Sequence, residues 1–299
     1  MDYPYVSIII PAYNAQDTLQ RCLDSIMRID YPGERRKVIL VNNNSHDATE
    51  DIARRYPITV VHENRIQTSY AARNRGIQHA KGDILAFTDT DCIVAPDWLL
   101  NYINYLQKNP SDIVAGHVEI IMKQDPNIYE IYDRCKFDQG FFVHEFQFGA
   151  TANLLVKRSV FEKIGVFDET LKSSGDLHFC QKAFKSGFKI DFCKSAIVKH
   201  PARSTLMALL KKEARIGFGY SQIYFKHRLG KLFIHRWKLF FPNRDFLRFK
   251  SKELNFGKPG KAKFVFVDWM CNCAWILGNM YGILKLNHGM ECLILLSPS

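Results

Sequence analysis

The stretch Gly82-Asp83-Ile84-Leu85-Ala86-Phe87-Thr88-Asp89-Thr90-Asp91-Cys92 decides the fold. A glycine break opens it, an apolar run follows, and Thr-Asp-Thr-Asp closes it. Ile84 to Phe87 reads as a short buried strand, central in a parallel sheet. Asp89 and Asp91 then stand where that strand ends, the edge at which open α/β sheets bind ligands. Carboxylates one residue apart at such an edge can hold a hard divalent cation, which in turn holds phosphate oxygens. A polar turn that caps a helix beginning at Pro96 would look the same, and a D-x-D alone does not separate the two.

Upstream, Val6 to Ile10 is a β-branched strand broken by Pro11-Ala12-Tyr13-Asn14, and Leu19, Cys22, Leu23 and Ile26 follow at helical spacing. Val38 to Val41 is a second strand, closed by Asn42-Asn43-Asn44-Ser45-His46-Asp47. Asp47 and Glu50 have the spacing of a capping box. Ile58 to Val61 is a third strand, and Ser69 to Ala80 a helix rich in small residues that ends at Lys81-Gly82. Strand and helix alternate as in a doubly wound parallel sheet, which gathers the polar strand ends at one edge. Downstream, the pattern predicts a helix over 96–108, a strand over 113–122, one aromatic-rich helix over 128–143 and a strand over 153–156. Short helices over 159–164 and 175–186 follow, then two closing strands, Lys189 to Phe192 and Ala196 to His200.

The chain of 299 residues is 47% hydrophobic, enough for one large domain or a domain with an appendage, and outside the disordered range. Its eight cysteines form no CxxC pair, so reduced thiols are expected rather than a zinc knuckle or a disulfide frame. The opening Met-Asp-Tyr-Pro-Tyr lacks the basic region of a signal peptide. Charge divides unevenly. Residues 1–200 carry 24 Lys and Arg against 25 Asp and Glu, whereas 201–299 carry 17 against 5, a net of +12. Such a basic region implies an anionic partner: phosphates, nucleic acid or a membrane surface. Phe264 to Leu286 is long enough to span a bilayer, but Asp268, Asn272 and Asn279 interrupt it. A charge in hydrocarbon costs about 2.5–3.5 kcal/mol, so a packed or interfacial helix is expected.

Val6-Ser7-Ile8-Ile9-Ile10-Pro11-Ala12-Tyr13-Asn14, Val41 to Asp47, Ala72-Arg73-Asn74-Arg75-Gly76 and Thr88-Asp89-Thr90-Asp91 occur in order at sensible spacing. With Asn153 to Val156, Val160 to Glu169, Gly175-Asp176-Leu177-His178-Phe179 and His200-Pro201-Ala202-Arg203, this set resembles the inverting family-2 glycosyltransferases over roughly the first 220 residues. The resemblance implies a GT-A fold: a Rossmann-like, mostly parallel sheet flanked by helices, with a basic helical C-terminal extension. It implies a catalytic domain over 1–203, with the nucleotide-sugar half about 1–110 and the acceptor half about 111–203, and a basic, aromatic-rich helical region over 204–299.

By the same resemblance, Pro11, Ala12, Tyr13 and Asn14 would hold the base and ribose of a nucleotide sugar. Asn43 stands where the family usually has an aspartate on the uracil ring; an amide oxygen can accept that bond without charge. Arg73 would face the diphosphate. Asp91 is the expected ligand of Mg²⁺ or Mn²⁺, with Asp89 on the ribose or a metal-bound water, and His200 matches a histidine that ligates the metal in several members. Asp176 matches the catalytic base, although an N-terminal helix cap would also place an aspartate there. Arg203 and Arg215 are candidates for phosphate. The expected reaction moves a sugar, from a UDP-sugar in the first instance, to a glycan or lipid-linked acceptor with inversion, as in polysaccharide, lipopolysaccharide or glycolipid synthesis.

Three other readings compete. An inactive scaffold on the same fold would have lost the base or the metal acid, yet Asp91 and Asp176 both remain. A nucleic-acid binder would draw on the basic last third, but no recognised module appears there and no nucleic acid is expected as partner. A nucleotidyltransferase would want Gly and Lys after the first strand, where Pro11-Ala12-Tyr13-Asn14 has neither. The basic region suits the cytoplasmic leaflet of a cell membrane, which makes a peripheral cytoplasmic protein the expectation.

Overall fold

The computed structural model describes residues 3–227 and 258–294. Their strands are β1 (Val6–Ala12), β2 (Arg36–Asn42), β3 (Thr59–His62), β4 (Ile84–Thr88), β5 (Ile93–Val94), β6 (Ile113–Ile121), β7 (Asn153–Lys157) and β8 (Ile190–Pro201). The helices are α1 (Leu19–Met27), α2 (Thr49–Ala53), α3 (Ser69–His79), α4 (Trp98–Lys108), α5 (Ile128–Lys136), α6 (Gln139–Phe146), α7 (Arg158–Ile164), α8 (Gly175–Lys185), α9 (Leu206–His227) and α10 (Lys258–Ile294). Any helix expected over 228–257 lies outside the described residues.

All eight strands join one sheet in the order β3-β2-β1-β4-β7-β6-β8-β5. β3, β2, β1 and β4 run parallel, and β7 enters antiparallel to β4. β4, expected inside a parallel sheet, is parallel to β1 on one side and antiparallel to β7 on the other, and it is buried along its whole length, as a central strand covered on both faces must be. Its neighbour β1 is almost equally buried, which explains why both read as unbroken apolar runs. Leu19, Cys22, Leu23 and Ile26 of α1 line one face of the core, where Trp98, Leu99 and Tyr102 of α4 also pack.

Three local expectations need correction. The helix over 128–143 is two helices, because Asp138 takes an extended conformation and its side chain accepts from Phe141 N at 3.0 Å, starting α6 afresh. The two closing strands are one, β8. Its parallel pairing with β6 runs from Ile113↔Ile190 to Gly116↔Cys193 and resumes at His117↔Ile197, so Lys194 to Ala196 bulge out of register. Asn153 Nδ2 steadies the bulge by donating to His117 O and Ala196 O, both at 2.9 Å. Gly116 makes the room: a Cβ there would lie 2.3 Å from Asn153 Nδ2. Finally, Asp47 and Glu50 form no capping box. Asp47 accepts from Thr49 N and Gln16 N, while Glu50 binds Asn42, Arg54 and His62.

The described residues fall into two compact units: those of Met1–Ile121, Phe137–Thr170 and Gly175–Pro201, and those of Met122–Lys136, Leu171–Ser174 and Ala202–Ser299. The first holds the sheet. The second is helical, with Tyr132, Leu209, Phe264, Val267 and Cys271 at its core. There α9 and α10 touch backbone to backbone through small residues; a Cβ on Gly217 would meet Trp275 O at 2.0 Å. The three polar residues that interrupt Phe264 to Leu286 face inward. Asp268 is fully buried against Tyr132 and Lys136, Asn279 donates to Gly217 O, and Asn272 donates to Asp268. Among the described residues no helix is long and apolar enough to cross a membrane, and the seven described cysteines are free.

Candidate active site

The turns that follow β1 and β2 are tied together. Asn14, held left-handed at φ 47°, accepts from His46 N at 2.9 Å through its side chain, and its own N–H donates to Ser45 Oγ at 3.1 Å. Asn is among the few side chains that tolerate that conformation. Tyr13 stands half exposed at the tip, while Ala12 is buried and its carbonyl accepts from Asn43 N. Asn43 is buried too. Its Nδ2 donates to Thr68 O at 2.8 Å, which fixes the amide orientation and leaves Oδ1 buried with no partner. An unsatisfied buried acceptor costs about 1–3 kcal/mol, and a ligand N–H would recover it.

α3 carries the next two side chains. Thr68 caps this helix on Ala71 N. One turn in, Tyr70 and Arg73 share a face. Arg73 is buried, lies 5.6 Å from the Tyr70 ring centroid, and donates through Nη2 to Asp89 Oδ1 at 2.5 Å. Its Nε is buried without a partner, so the guanidinium retains a donor. Tyr70 points its hydroxyl at Asp176 Oδ1, 3.3 Å away.

Asp176 is the second residue of α8. Leu177 N donates to its Oδ1 at 3.0 Å and Thr151 N to its Oδ2 at 3.3 Å. Burial raises its carboxyl above the ordinary value; the Arg73 charge and these hydrogen bonds oppose the rise without cancelling it. Gly175 lets the two elements approach, since a Cβ there would sit 2.7 Å from the Tyr70 ring.

At the far side of the D-x-D, His200 on β8 brings Nε2 to 3.3 Å from Asp91 Oδ2. A hard carboxylate oxygen and an imidazole nitrogen at that separation fit adjacent positions on a divalent ion. Among the described residues no group of three or more His, Cys, Asp and Glu is arranged to hold a metal by itself. Arg203 is bound elsewhere: its guanidinium reaches Asp133 Oδ2 at 3.1 Å within the helical unit, and Arg215 is exposed.

Segments far apart in sequence therefore converge at one sheet edge. Tyr13, Asn43, Arg73, Asp89, Asp91, Asp176 and His200 all belong to the sheet unit. Tyr70, Gly175 and Thr151 N are the parts that sequence reasoning missed. The hint of Tyr70 was an aromatic beside the small residues Ser69, Ala71 and Ala72 that open the helix.

A sheet of this order is an α/β fold that sets a carboxylate pair at the end of its central strand, the edge at which such sheets bind ligands. The family model described as glycosyl transferase family 2 matches residues 7–165. The chain belongs to that family and is a glycosyltransferase. It is 32% identical to glycosyltransferase AglE of Haloferax volcanii over 94% of this chain and 97% of the relative. It is 23% identical to dolichyl N-acetyl-α-D-glucosaminyl phosphate 3-β-D-2,3-diacetamido-2,3-dideoxy-β-D-glucuronosyltransferase of Methanococcus voltae, over 77% of this chain and 79% of the other. Among solved structures, the mannosyltransferase PcManGT of Pyrobaculum calidifontis, in complex with GDP-Man and Mn²⁺, aligns with a TM-score of 0.58 at 18% identity, covering 100% of this chain and 82% of the other. Residues 1–349 of TarS from S. aureus, with UDP-GlcNAc, align at 0.55 and 15% identity, covering 95% and 92%. These likenesses establish the GT-A fold.

Proposed function

We propose that this protein transfers a sugar from a nucleotide-diphosphate sugar to an acceptor hydroxyl with inversion at the anomeric carbon, and that Asp176 is the base. The observation that carries this reading is the buried Arg73, which holds Asp89 directly and lowers the charge cost of Asp176 on the same site. Through Arg73 and Tyr70, α3 thus reaches both Asp89 and the Asp176 carboxylate on α8. Asn43 Oδ1 is an acceptor for a base N–H, and the exposed Tyr13 ring offers a stacking face. One related fold carries GDP-Man and another UDP-GlcNAc, so either base is compatible with the architecture; a UDP-sugar remains the first donor to test.

Asp91 and His200 are the side chains that would hold Mg²⁺ or Mn²⁺, with Asp89 toward the ribose or a metal-bound water. That ion supplies charge neutralisation of the diphosphate leaving group. Arg73 adds a second, fixed positive charge through its spare Nε–H. Asp176 takes the proton from the acceptor hydroxyl as its oxygen attacks the anomeric carbon, and the raised carboxyl makes it the stronger base. One displacement without a covalent enzyme intermediate inverts the centre.

The acceptor we favour is glycan or lipid-linked, because the basic residues 201–299 suit an anionic membrane surface, on the cytoplasmic side of a cell membrane. The catalytic domain we assign to residues 1–203 and the appended basic region to 204–299; Arg203, held by Asp133, would reach phosphate only by exchanging that partner. The test is a donor screen, measuring nucleotide-sugar hydrolysis with and without Mn²⁺ on the wild type, Asp91→Ala and Asp176→Asn. The expected result is metal-stimulated turnover lost in both variants. Full activity without metal, or an unaffected Asp176→Asn enzyme, overturns the mechanism.

A further inference from the structure

Between Phe264 and Leu284 the outer face of α10 is wholly apolar, yet among the described residues only the opposite face is covered. From Phe264 to Leu284 its single charged residue is Asp268, and that residue is fully buried against Tyr132 and Lys136. The inward face presents Phe264, Val267, Cys271, Trp275 and Asn279, all buried. Phe266, Trp269, Leu277, Met280, Tyr281 and Leu284 are 39–65% exposed. At 100° per residue these six fall within an arc of about 120°, opposite the buried face. The stripe runs for about 30 Å, at 1.5 Å per residue. A helix in water normally carries charges on its outer face; here none occurs between Lys263 and Lys285. Lysines mark both ends: Lys261 and Lys263 before the stripe and Lys285 after it, all exposed.

The geometry points to α10 lying in the plane of an anionic lipid membrane, with the Phe266–Leu284 stripe sunk to the boundary between headgroups and acyl chains. Charge complementarity selects lipid as the occupant. The stripe has no negative charge on it, cations bracket it, and the stretch joining α9 to α10 continues the theme in sequence. Residues 228–257 hold eight Lys and Arg against Asp245 and Glu253, interleaved with Phe233, Trp237, Phe240, Phe241, Phe246, Phe249 and Phe256. Aromatic rings settle at the interface, and basic residues each gain about 1 kcal/mol beside anionic headgroups. A wholly apolar stripe, by contrast, would not need lysines at both ends to meet a second apolar protein face. The inference gives the proposed membrane location a physical element. It also explains why Asp268 is turned inward: the carboxylate would otherwise face anionic headgroups.

The full chain is to be floated with phosphatidylcholine vesicles containing or lacking phosphatidylglycerol. Binding to the anionic vesicles is expected, weakened but not abolished by high salt. Leu277→Glu with Met280→Glu is expected to weaken partitioning about tenfold or more while leaving helix content by circular dichroism unchanged. As a second readout, in a Trp237→Phe background brominated lipid should quench the remaining tryptophan fluorescence, and adding Trp269→Phe should lose most of that quenching while still binding. The inference is overturned if the wild type stays in the soluble fraction, if the double variant partitions like the wild type, or if adding Trp269→Phe to the Trp237→Phe background leaves the quenching intact. It is also overturned if the wild type is a dimer that the double variant splits without any vesicle binding, which would give the stripe to a second copy of the chain. Nucleotide-sugar hydrolysis in detergent-free buffer reports on the catalytic reading alone, so its failure leaves the vesicle result standing.

Discussion

Asp176 and Asp133 are carboxylates that burial pushes up, the first partly and the second fully buried, one in the sheet unit and one in the helical unit, and their surroundings treat them in opposite ways. Asp133 is buried, which by itself pushes its carboxyl up, but Lys212 at 2.9 Å and Arg203 at 3.1 Å outweigh burial and hold it below the ordinary value. Asp176 has no cation in contact. The charge of Arg73, already bound to Asp89, and three hydrogen bonds fail to offset burial, and the carboxyl is raised. Over-compensation suits a structural ion pair; under-compensation suits the base proposed at Asp176. The lesson is that a buried aspartate is read by its balance of partners rather than by its burial.

The largest test of this contrast is Asp176→Asn. Transfer is expected to fall by about 10²–10⁴-fold, the range of general base catalysis, measured as kcat/KM. The fold should not suffer. A carboxyl raised in the folded state contributes stability that is present below its unfolded value and lost as pH rises through the folded one, so at neutral pH the charge costs stability. The variant should therefore melt at or above the wild-type temperature at pH 7. Asp133→Asn should do the reverse. It leaves Arg203 and Lys212 facing no charge and is expected to cost about 3–5 kcal/mol by urea denaturation. Because the Asp133 carboxyl is lowered, its contribution is present above the unfolded value and lost as pH falls through the folded one, and acid titration of stability should show that loss in the wild type only.

A finer test concerns Tyr70. The base proposed at Asp176 would act only when deprotonated, so the acid limb of the pH–rate profile should lie above the ordinary aspartate range. Tyr70→Phe removes the hydroxyl bond to the charged form and should move that limb further up, by less than about one pH unit for one hydrogen bond. The smallest effect is expected at Glu50, where bonds from His62, Arg54 and Asn42 lower the carboxyl to about 2 at a partly exposed site. Solvent screening limits Glu50→Gln to about 1 kcal/mol or less, read as a small drop in Tm near neutral pH that fades as pH falls through about 2.

The contrast also explains what could be read from sequence. The strands were legible because Val6–Ala12 and Ile84–Thr88 are buried on both faces, and burial writes itself as an unbroken apolar run. Asp89 and Asp91 were legible because they follow such a run directly. β5, two residues long, and the bulge in β8 left no periodicity to detect. The break between α5 and α6 was hidden because the aromatic pattern runs straight through Asp138, whose cap is a backbone event. Tyr70 lies 106 positions from Asp176, and Lys212 lies 79 from Asp133. Nothing local distinguishes the two aspartates; the partners that separate them arrive only with the fold.

The bulge in β8 acts as a length standard for the site. If the register of Ile113 to Gly116 simply continued, Ile197 would stand level with Ile120 and His200 three residues beyond it, about 10 Å along the strand. Three is odd, so His200 would also turn to the opposite face of the sheet. The slack at Lys194 to Ala196 reels the histidine back to Ile120 and sets its ring beside Asp91. Insertions or deletions in that short stretch would thus retune the site from a distance, and Asn153, pinned across the gap, is the latch that keeps the chosen length.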